Sequence, residues 1–447
     1  MKKQVIALLM ASLMTFGLLA GCGGSNSKSD SAKAENQQNT SGEGTNSASG
    51  ESVTLSFLNK YPEDNYLPYF KEAVSNYMKK HPNVTINMEN VSDQNIKDKL
   101  SVMAAAKTMP DIYFSWSGEY VKKFARSGLA MDLTDYLNKD TNWKNSFLPA
   151  FLNNSTFDGK TYGIPYRSSV IYMVYNKSIF KDLGLTAPKT YAEFLQVCDK
   201  LKAAKVTTIA FGNSQTWYSA WWIGQFNAMM VNAATITKDY NPKSGEFTDP
   251  NYVKAVQTFL DLNKNGYFGG NINSKDYYQV REEFCAGKAG MMLDATAQFS
   301  IYEKAMGDDF GFFKFPVMEG AAGDPGTITG GAEVYCISPK SKNPDAAVDF
   351  VKYMTSLEQA IKQTKEAGLP NCIIGGITAD NSSANLVEAY KMAKDYTNIA
   401  DWLDTAVDSA VANQYMQSVQ EGFSGNKTAE DIIKDIQKVA ANVKASN

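Results

Sequence analysis

The 447-residue chain has 44 Lys and Arg against 47 Asp and Glu, a formal net charge of −3, and is 44% hydrophobic and 20% charged, an ordinary globular composition with no basic block of the kind nucleic acid requires. It has one histidine, His81, and its cysteines beyond Cys22 are Cys198, Cys285, Cys336 and Cys372, far apart; this excludes a zinc site built on several histidines and argues against a Ser-His-Asp or Cys-His nucleophile. Aromatic content is 12%, with 24 Tyr, 23 Phe and 6 Trp, the one compositional departure that bears on binding.

Met1, Lys2 and Lys3 precede an apolar run over residues 5–20 that is too short, and too closely followed by small residues, to remain as a membrane span; it reads as a secretory leader. The order Leu19-Ala20-Gly21-Cys22 resembles the lipobox of bacterial lipoproteins. That resemblance implies a signal peptide over residues 1–21 and acylation of Cys22. Residues 23–51 contain no aromatic or large aliphatic side chain, so they are expected to form a disordered tether spanning roughly 30 Å.

Residues 52–447 are too many for one core, and two lobes are expected. The first signals are a strand at 53–58, a turn at Lys60-Tyr61-Pro62-Glu63-Asp64, and a helix with Leu67, Phe70, Val74 and Tyr77 at helical spacing. A strand at 84–88, a helix at 95–106 and a strand at 112–114 opened by Pro110-Asp111 follow. This alternation predicts parallel pairing with right-handed crossovers. Ligands in such sheets sit at the carboxyl ends of the strands, which points at residues 59–63 and at Ser115, Trp116, Ser117 and Glu119. His81 falls in a surface turn stopped by Pro82. Thr190 with Glu193, Asp249 before Pro250, and Asn343 before Pro344 predict helices at 191–204, 251–265 and 345–355. The four later cysteines are expected to be buried small hydrophobes, with an oxidised pair left open.

Several blocks in order resemble the extracellular solute-binding proteins of ABC importers, in the sugar-binding branch similar to maltose-binding protein. They are Met109-Pro110-Asp111-Ile112-Tyr113; Gly159-Lys160-Thr161-Tyr162-Gly163-Ile164-Pro165-Tyr166 with residues 171–177; Phe284 with Gly287-Lys288-Ala289-Gly290-Met291-Met292; Ser341-Lys342-Asn343-Pro344-Asp345-Ala346-Ala347 with Phe350; and Gly368-Leu369-Pro370. The resemblance implies an α/β fold of two lobes, each a mixed β-sheet flanked by helices, closing on ligand like a flytrap. It implies chain crossings near 166–172, 313–316 and 354–358. The lobes are then 52–166 plus 316–356 and 167–315 plus 357–447. It also implies a monomeric receptor, not an enzyme and with no cofactor, that hands a sugar or oligosaccharide to the membrane permease. With Cys22 acylated, the protein would touch the membrane only through its lipid, on the outer face of a bacterium without an outer membrane.

Trp217 and Trp221 are one helical turn apart, and such flat faces suit the C–H faces of sugar rings; packing in the core competes for both, and Trp222 is assigned to the core. Trp116 follows the end of the third strand signal, where the family places a ligand-facing aromatic, with Ser117 and Glu119 beside it. Tyr166 and Arg167 lie at the implied hinge, where a guanidinium can donate forked bonds to ligand or form an interlobe ion pair. Asp294 and Gln298 are candidate polar contacts, Asp294 alternatively a helix cap. Gly330, Gly331 and Glu333 precede a strand expected at 334–338, the glycines permitting close approach of backbone to ligand; Tyr61 and Glu63 complete the set.

Two rivals remain at this stage. A polyamine receptor of the same fold would use the same aromatic walls for cation–π contacts. A surface glycoside hydrolase would need two carboxylates flanking a bond, for which Asp294, Glu333 and Glu119 are the candidates, without a supporting motif.

Overall fold

Strands β1 (Val53–Asn59), β2 (Val84–Asn90) and β3 (Ile112–Trp116) alternate with helices Leu67–Lys80 and Asp93–Ala106. Both strand pairs are parallel, Val53 opposite Val84 and Phe57 opposite Ile112, as that order of elements dictates. The computed structural model describes residues 51–393 and 398–446; the expectations for the leader, Cys22 and the tether up to residue 50 lie outside the described residues.

Apart from a short hairpin of Thr156–Phe157 with Lys160–Thr161, the remaining strands are β4 (Ile164–Asn176), β5 (Thr207–Ala210), β6 (Ala289–Ala295), β7 (Phe310–Phe313), β8 (Thr327–Ile337) and β9 (Asn398–Ala400). They complete a sheet in the order β2-β1-β3-β8-β4-β6-β5, with β9 on β8 and β7 on β4. Rich in Ile, Val and Tyr, β4 has the composition of a strand buried on both faces. Its first half pairs antiparallel with β8, and from Ile171 onward it pairs with β6 and β7. This one strand therefore passes from the first half of the sheet to the second. Where Pro165 has no N–H to give the ladder, the register against β8 shifts between Glu333 and Val334.

Each half has its own aromatic core. Phe57 meets Tyr335 and Phe350 edge-on, both at 5.4 Å; in the second half Trp222 is fully buried and stacks on Phe259 at 5.7 Å. Burial of each such ring contributes about 1.5–3 kcal/mol. Helix Tyr191–Ala203 carries the full Thr190–Glu193 capping box, and Asp249 caps helix Pro250–Lys264. Asn343 precedes helix Pro344–Met354 without a side-chain cap bond, so Pro344 alone marks that start.

Three placements differ from the sequence expectations. β8 begins at Thr327, so Gly330 and Gly331 are strand residues paired with Val170 and Ser169, not a preceding loop. Trp116 is the last residue of β3 itself. Helix Leu357–Ala367, expected in the second lobe, instead packs on Leu67–Lys80, where Tyr69 Oη donates to the Gln359 carbonyl at 3.2 Å. Helices Ser409–Phe423 and Ala429–Ser446 pack on Pro250–Lys264 in the second half. Cys198, Cys336 and Cys372 are buried and Cys285 is half-buried; all four are free thiols. Among the described residues no helix is long and apolar enough to cross a membrane.

Candidate functional site

Neighbouring strands β3, β8 and β4 set Trp116, Glu333 and Arg167 opposite one another in register. Two residues along, Gly331 faces Ser169. Because side chains alternate across a strand, Arg167 and Ser169 share one face, while Ser168 between them turns away and donates to the Asn371 carbonyl at 2.8 Å. The facing wall comes from the second half: Trp217 and Trp221 at the start of helix Trp217–Met230, Tyr277 and Tyr278 at the start of helix Tyr277–Cys285, and Ala297 and Gln298 after β6. Trp402, Asp404 and Thr405 close the space. The cavity, open to one side, is about 280 Å³.

Its aromatic wall is continuous. Trp217 lies 5.3 Å from Trp221 and 4.9 Å from Tyr277, and Trp221 stacks on Trp402 at 4.8 Å. Trp116 faces the cavity from the end of β3, across from this wall, with Lys97 Nζ 5.0 Å above its ring.

The floor is ionic. Glu333 accepts from Lys60 Nζ at 2.6 Å, Arg167 Nη1 at 2.5 Å, Tyr166 Oη at 3.1 Å and Tyr61 Oη. Lys60 also reaches Asp93 at 2.7 Å, and Lys97 pairs with Asp404. Burial alone would raise the Glu333 carboxyl, but Arg167 and Lys60, with the bonds from Lys60 and Tyr61, hold it below its ordinary value. Burial would likewise lower Lys60, and Asp93 with Glu333 outweighs it, so its ammonium is held above its ordinary value. Three donors of the wall or its margin are buried and have no protein partner: Arg167 Nε, Ser169 Oγ and the Trp217 indole N–H. A ligand entering here meets flat apolar faces, while the three donors are covered in this conformation and come within its reach only when the wall shifts.

Of the residues singled out in the sequence, Trp116, Arg167, Trp217, Trp221, Gln298, Gly331 and Glu333 are brought together on this cavity. The others are not on its wall, each for a physical reason. Tyr61 and Tyr166 sit behind it, their hydroxyls spent on Glu333, and Tyr166 stacks on Tyr335 at 4.0 Å. Tyr61 and Glu63 instead line an adjoining cavity of about 120 Å³ that shares Lys60, Asp93 and Arg167 with the first. Asp294 is fully buried and accepts from Tyr277 Oη at 2.9 Å and from Tyr302 Oη, so it acts through Tyr277 and is not a helix cap. Ser117 bonds Asp401 at 2.8 Å and Glu119 pairs with Arg126, which uses both internally. Gly330 is packed against the Ser169 carbonyl, where a Cβ would come within 2.5 Å.

Lys60, Asp93, Lys97, Ser169, Tyr277, Trp402 and Asp404 join the site without having been singled out. The period of two from Arg167 signals Ser169, and the strand-end rule already enclosed Lys60. Trp402 has no local signal, since its place depends on a fold-back onto Trp221, 181 positions earlier in the chain. Among the described residues no group of three or more His, Cys, Asp or Glu is arranged to hold a metal ion.

Residues 63–361 match the family of bacterial extracellular solute-binding proteins. The chain belongs to this family. As a solute-binding protein it is 24% identical to the multiple sugar-binding protein of Streptococcus mutans, over 74% of this chain and 77% of that protein. It is also 24% identical to the diacetylchitobiose binding protein DasA of Streptomyces coelicolor, over 98% of this chain and 99% of that protein. Among solved structures it is similar to a chitin oligosaccharide binding protein, with a TM-score of 0.81 and 26% identity, covering 89% of this chain and all of that one. The two-lobed α/β architecture is that of these receptors, and the cavity lies at the β4 passage between the two halves.

Proposed function

We propose that this solute-binding protein captures a sugar or oligosaccharide in the cavity beneath Trp116, Trp217, Trp221 and Trp402 and delivers it to an ABC permease. The observation that carries the reading is the pairing of a continuous indole and phenol wall with unspent donors at Arg167, Ser169 and Trp217. Sugar rings offer C–H faces to the first and hydroxyl oxygens to the second. The relatives named for sugars and chitin oligosaccharides support the same class. At about 280 Å³ the cavity is at the low end of the roughly 300–1,000 Å³ of small-molecule sites, so it takes a short ligand or the end of a longer one. The adjoining cavity beside Tyr61 and Glu63 extends the same path.

In this reading Arg167, Gln298, Glu333 and the backbone at Gly331 are the polar contacts, and Tyr61, Tyr166 and Asp294 position them. Ligand bridging the walls favours closure about β4, with lobes near 52–166 plus 316–356 and 167–315 plus 357–447, the helix 357–367 excepted. The mature chain hangs from acylated Cys22 by its tether on the outer face of the cell membrane, as a monomer, which keeps it at high local concentration beside the permease. A polyamine is disfavoured because the carboxylates facing the cavity are already paired with Lys60, Arg167 and Lys97. Hydrolysis is disfavoured because Glu333, locked between two cations, cannot serve as a proton donor.

Thermal shift of the purified protein with maltotriose, xylobiose and N,N′-diacetylchitobiose tests the reading. A saturable rise with at least one, and no new reducing ends on prolonged incubation, is expected; turnover, or a rise with spermidine alone, would sink it. Radiolabelled palmitate should enter the full chain and not a Cys22→Ala variant.

A further inference from the structure

Six charged residues face the cavity, and they cancel. The cations are Lys60, Lys97 and Arg167, and the carboxylates are Asp93, Glu333 and Asp404. Each cation is in contact with a carboxylate: Lys60 with Asp93 and Glu333, Arg167 with Glu333, Lys97 with Asp404. Glu333 is the shared member. Its side chain is 8% exposed, as are those of Lys60 and Arg167, so none of the three is shielded by bulk water. A charged ligand group entering this space would be desolvated without a free counter-charge to meet it, a penalty that a hydroxyl, ether or amide does not meet.

The unspent donors point the same way. Arg167 gives its Nη1 to Glu333 and Tyr61 but keeps Nε, and Ser169 and the Trp217 indole add two donors that carry no net charge. Such donors suit the oxygen of a neutral polyol or acetamide, while the guanidinium charge behind Nε is already neutralised.

We propose that Glu333 is a specificity-determining residue: it serves as a built-in counter-ion to Arg167 and Lys60, so that the cleft admits neutral saccharides and rejects uronates, phosphosugars and free amino sugars. This rests on the carbohydrate reading above and narrows it by charge. Selectivity comes from the cost imposed on the wrong ligand as much as from contacts with the right one.

The test removes the counter-ion. Glu333→Gln leaves Lys60 and Arg167 against Asp93, an excess of one cation; Asp93→Asn creates the same excess without touching Glu333, should the first variant fold poorly. Full-chain protein is melted with low-millimolar sulfate, against sodium chloride at equal ionic strength. The wild type is expected to show no sulfate-specific shift, and either variant to gain a rise of about 2 °C or more by binding the anion. Lys60→Met added to Glu333→Gln restores the balance and should abolish the gain. In parallel, wild type should prefer N,N′-diacetylchitobiose over its deacetylated diamine, and neutral galactobiose over digalacturonate, by about tenfold or more, or 1.4 kcal/mol. Sulfate stabilising the wild type, no gain in either folded variant, or equal binding of charged and neutral partners would overturn the proposal while leaving the carbohydrate reading intact. Sulfate gained by the variants with no sugar bound by the wild type would support charge cancellation and sink the carbohydrate reading.

Discussion

The indole of Trp402 stacks on that of Trp221, ring centroids 4.8 Å apart and planes 30° from parallel. Trp402 follows Asp401, whose carboxylate is held by Ser117 at 2.8 Å and by Asn154 at 3.2 Å. The contact therefore joins the end of β3, in the first half of the sheet, to the helix that opens with Trp217 in the second. A ring placed in this way both walls the cavity and reports on the relation of the two halves.

Trp402→Ala should cost binding more than folding. Aromatic contact contributes about 0.5–1.5 kcal/mol beyond the area it covers, so a roughly two- to thirteenfold loss of sugar affinity by titration calorimetry is expected, with a small drop in melting temperature. Trp221→Ala and Trp116→Ala should behave likewise. Unchanged affinity would reassign the ring to packing.

Gly331→Ala tests the same wall from beneath. A Cβ at residue 331 would meet Trp402 Nε1 at 2.9 Å and Cδ1 at 3.1 Å, so the indole must shift off Trp221. Forcing a methyl into such a contact costs about 1–3 kcal/mol. The expected result is a Trp402-like loss of affinity with a larger stability cost, read from calorimetry and denaturant midpoint together. The missing Cβ at Gly331 thus makes room for the Trp402 indole as well as leaving the backbone open to the cavity.

Much of the fold was legible because it is written locally. The β-α-β-α-β alternation, the Thr190–Glu193 box and the Asp249 cap all lie within a few residues of the element they set. The site was legible where strand ends and helical spacing apply, as for Trp116, Trp217 and Trp221. It was not legible where a side chain's role depends on a partner far along the chain. Asp294 reads as a polar contact until Tyr277 and Tyr302 are seen to claim it, and nothing near Glu333 in the sequence shows the two cations that hold it. Trp402 belongs to the cavity only because Asp401 is caught by Ser117.

Stability should rise on mild acidification. Burial of Asp294 pushes its carboxyl up to about 6 from an ordinary 3.8, against the bonds from Tyr302, the Ala295 N–H and Tyr277 and the charge of Arg281. The folded state then binds a proton between about pH 4 and 6 that the unfolded chain does not, so stability falls as pH rises through that window. The shift corresponds to roughly 3 kcal/mol at pH 7 relative to the acid side. Asp401 is raised to about 6 as well, chiefly by desolvation, and adds in the same direction. Glu333 works oppositely: held below its ordinary value, its contribution is present above about pH 4.5 and is lost on further acidification. Denaturant midpoints should therefore peak near pH 5, and Asp294→Asn should flatten the slope between pH 5 and 7. A midpoint highest at pH 7 to 8 in the wild type would contradict the assignment.

Arg167→Met separates the structural role of this buried cation from the binding role proposed for it. Removing the guanidinium leaves Glu333 with Lys60, and leaves Tyr61 without the Nη1 donor now 2.6 Å from its hydroxyl. Breaking one arm of a buried ion cluster costs about 3–5 kcal/mol, so the denaturant midpoint should fall sharply. Arg167→Lys restores the charge near Nη1 but leaves no donor at the Nε position, since the three N–H groups of an ammonium all radiate from one atom. It should recover most of the stability and little of the sugar affinity. If Arg167→Lys recovers both, the Nε donor has no part in binding, and the cavity recognises its ligand through the aromatic wall and Ser169 alone.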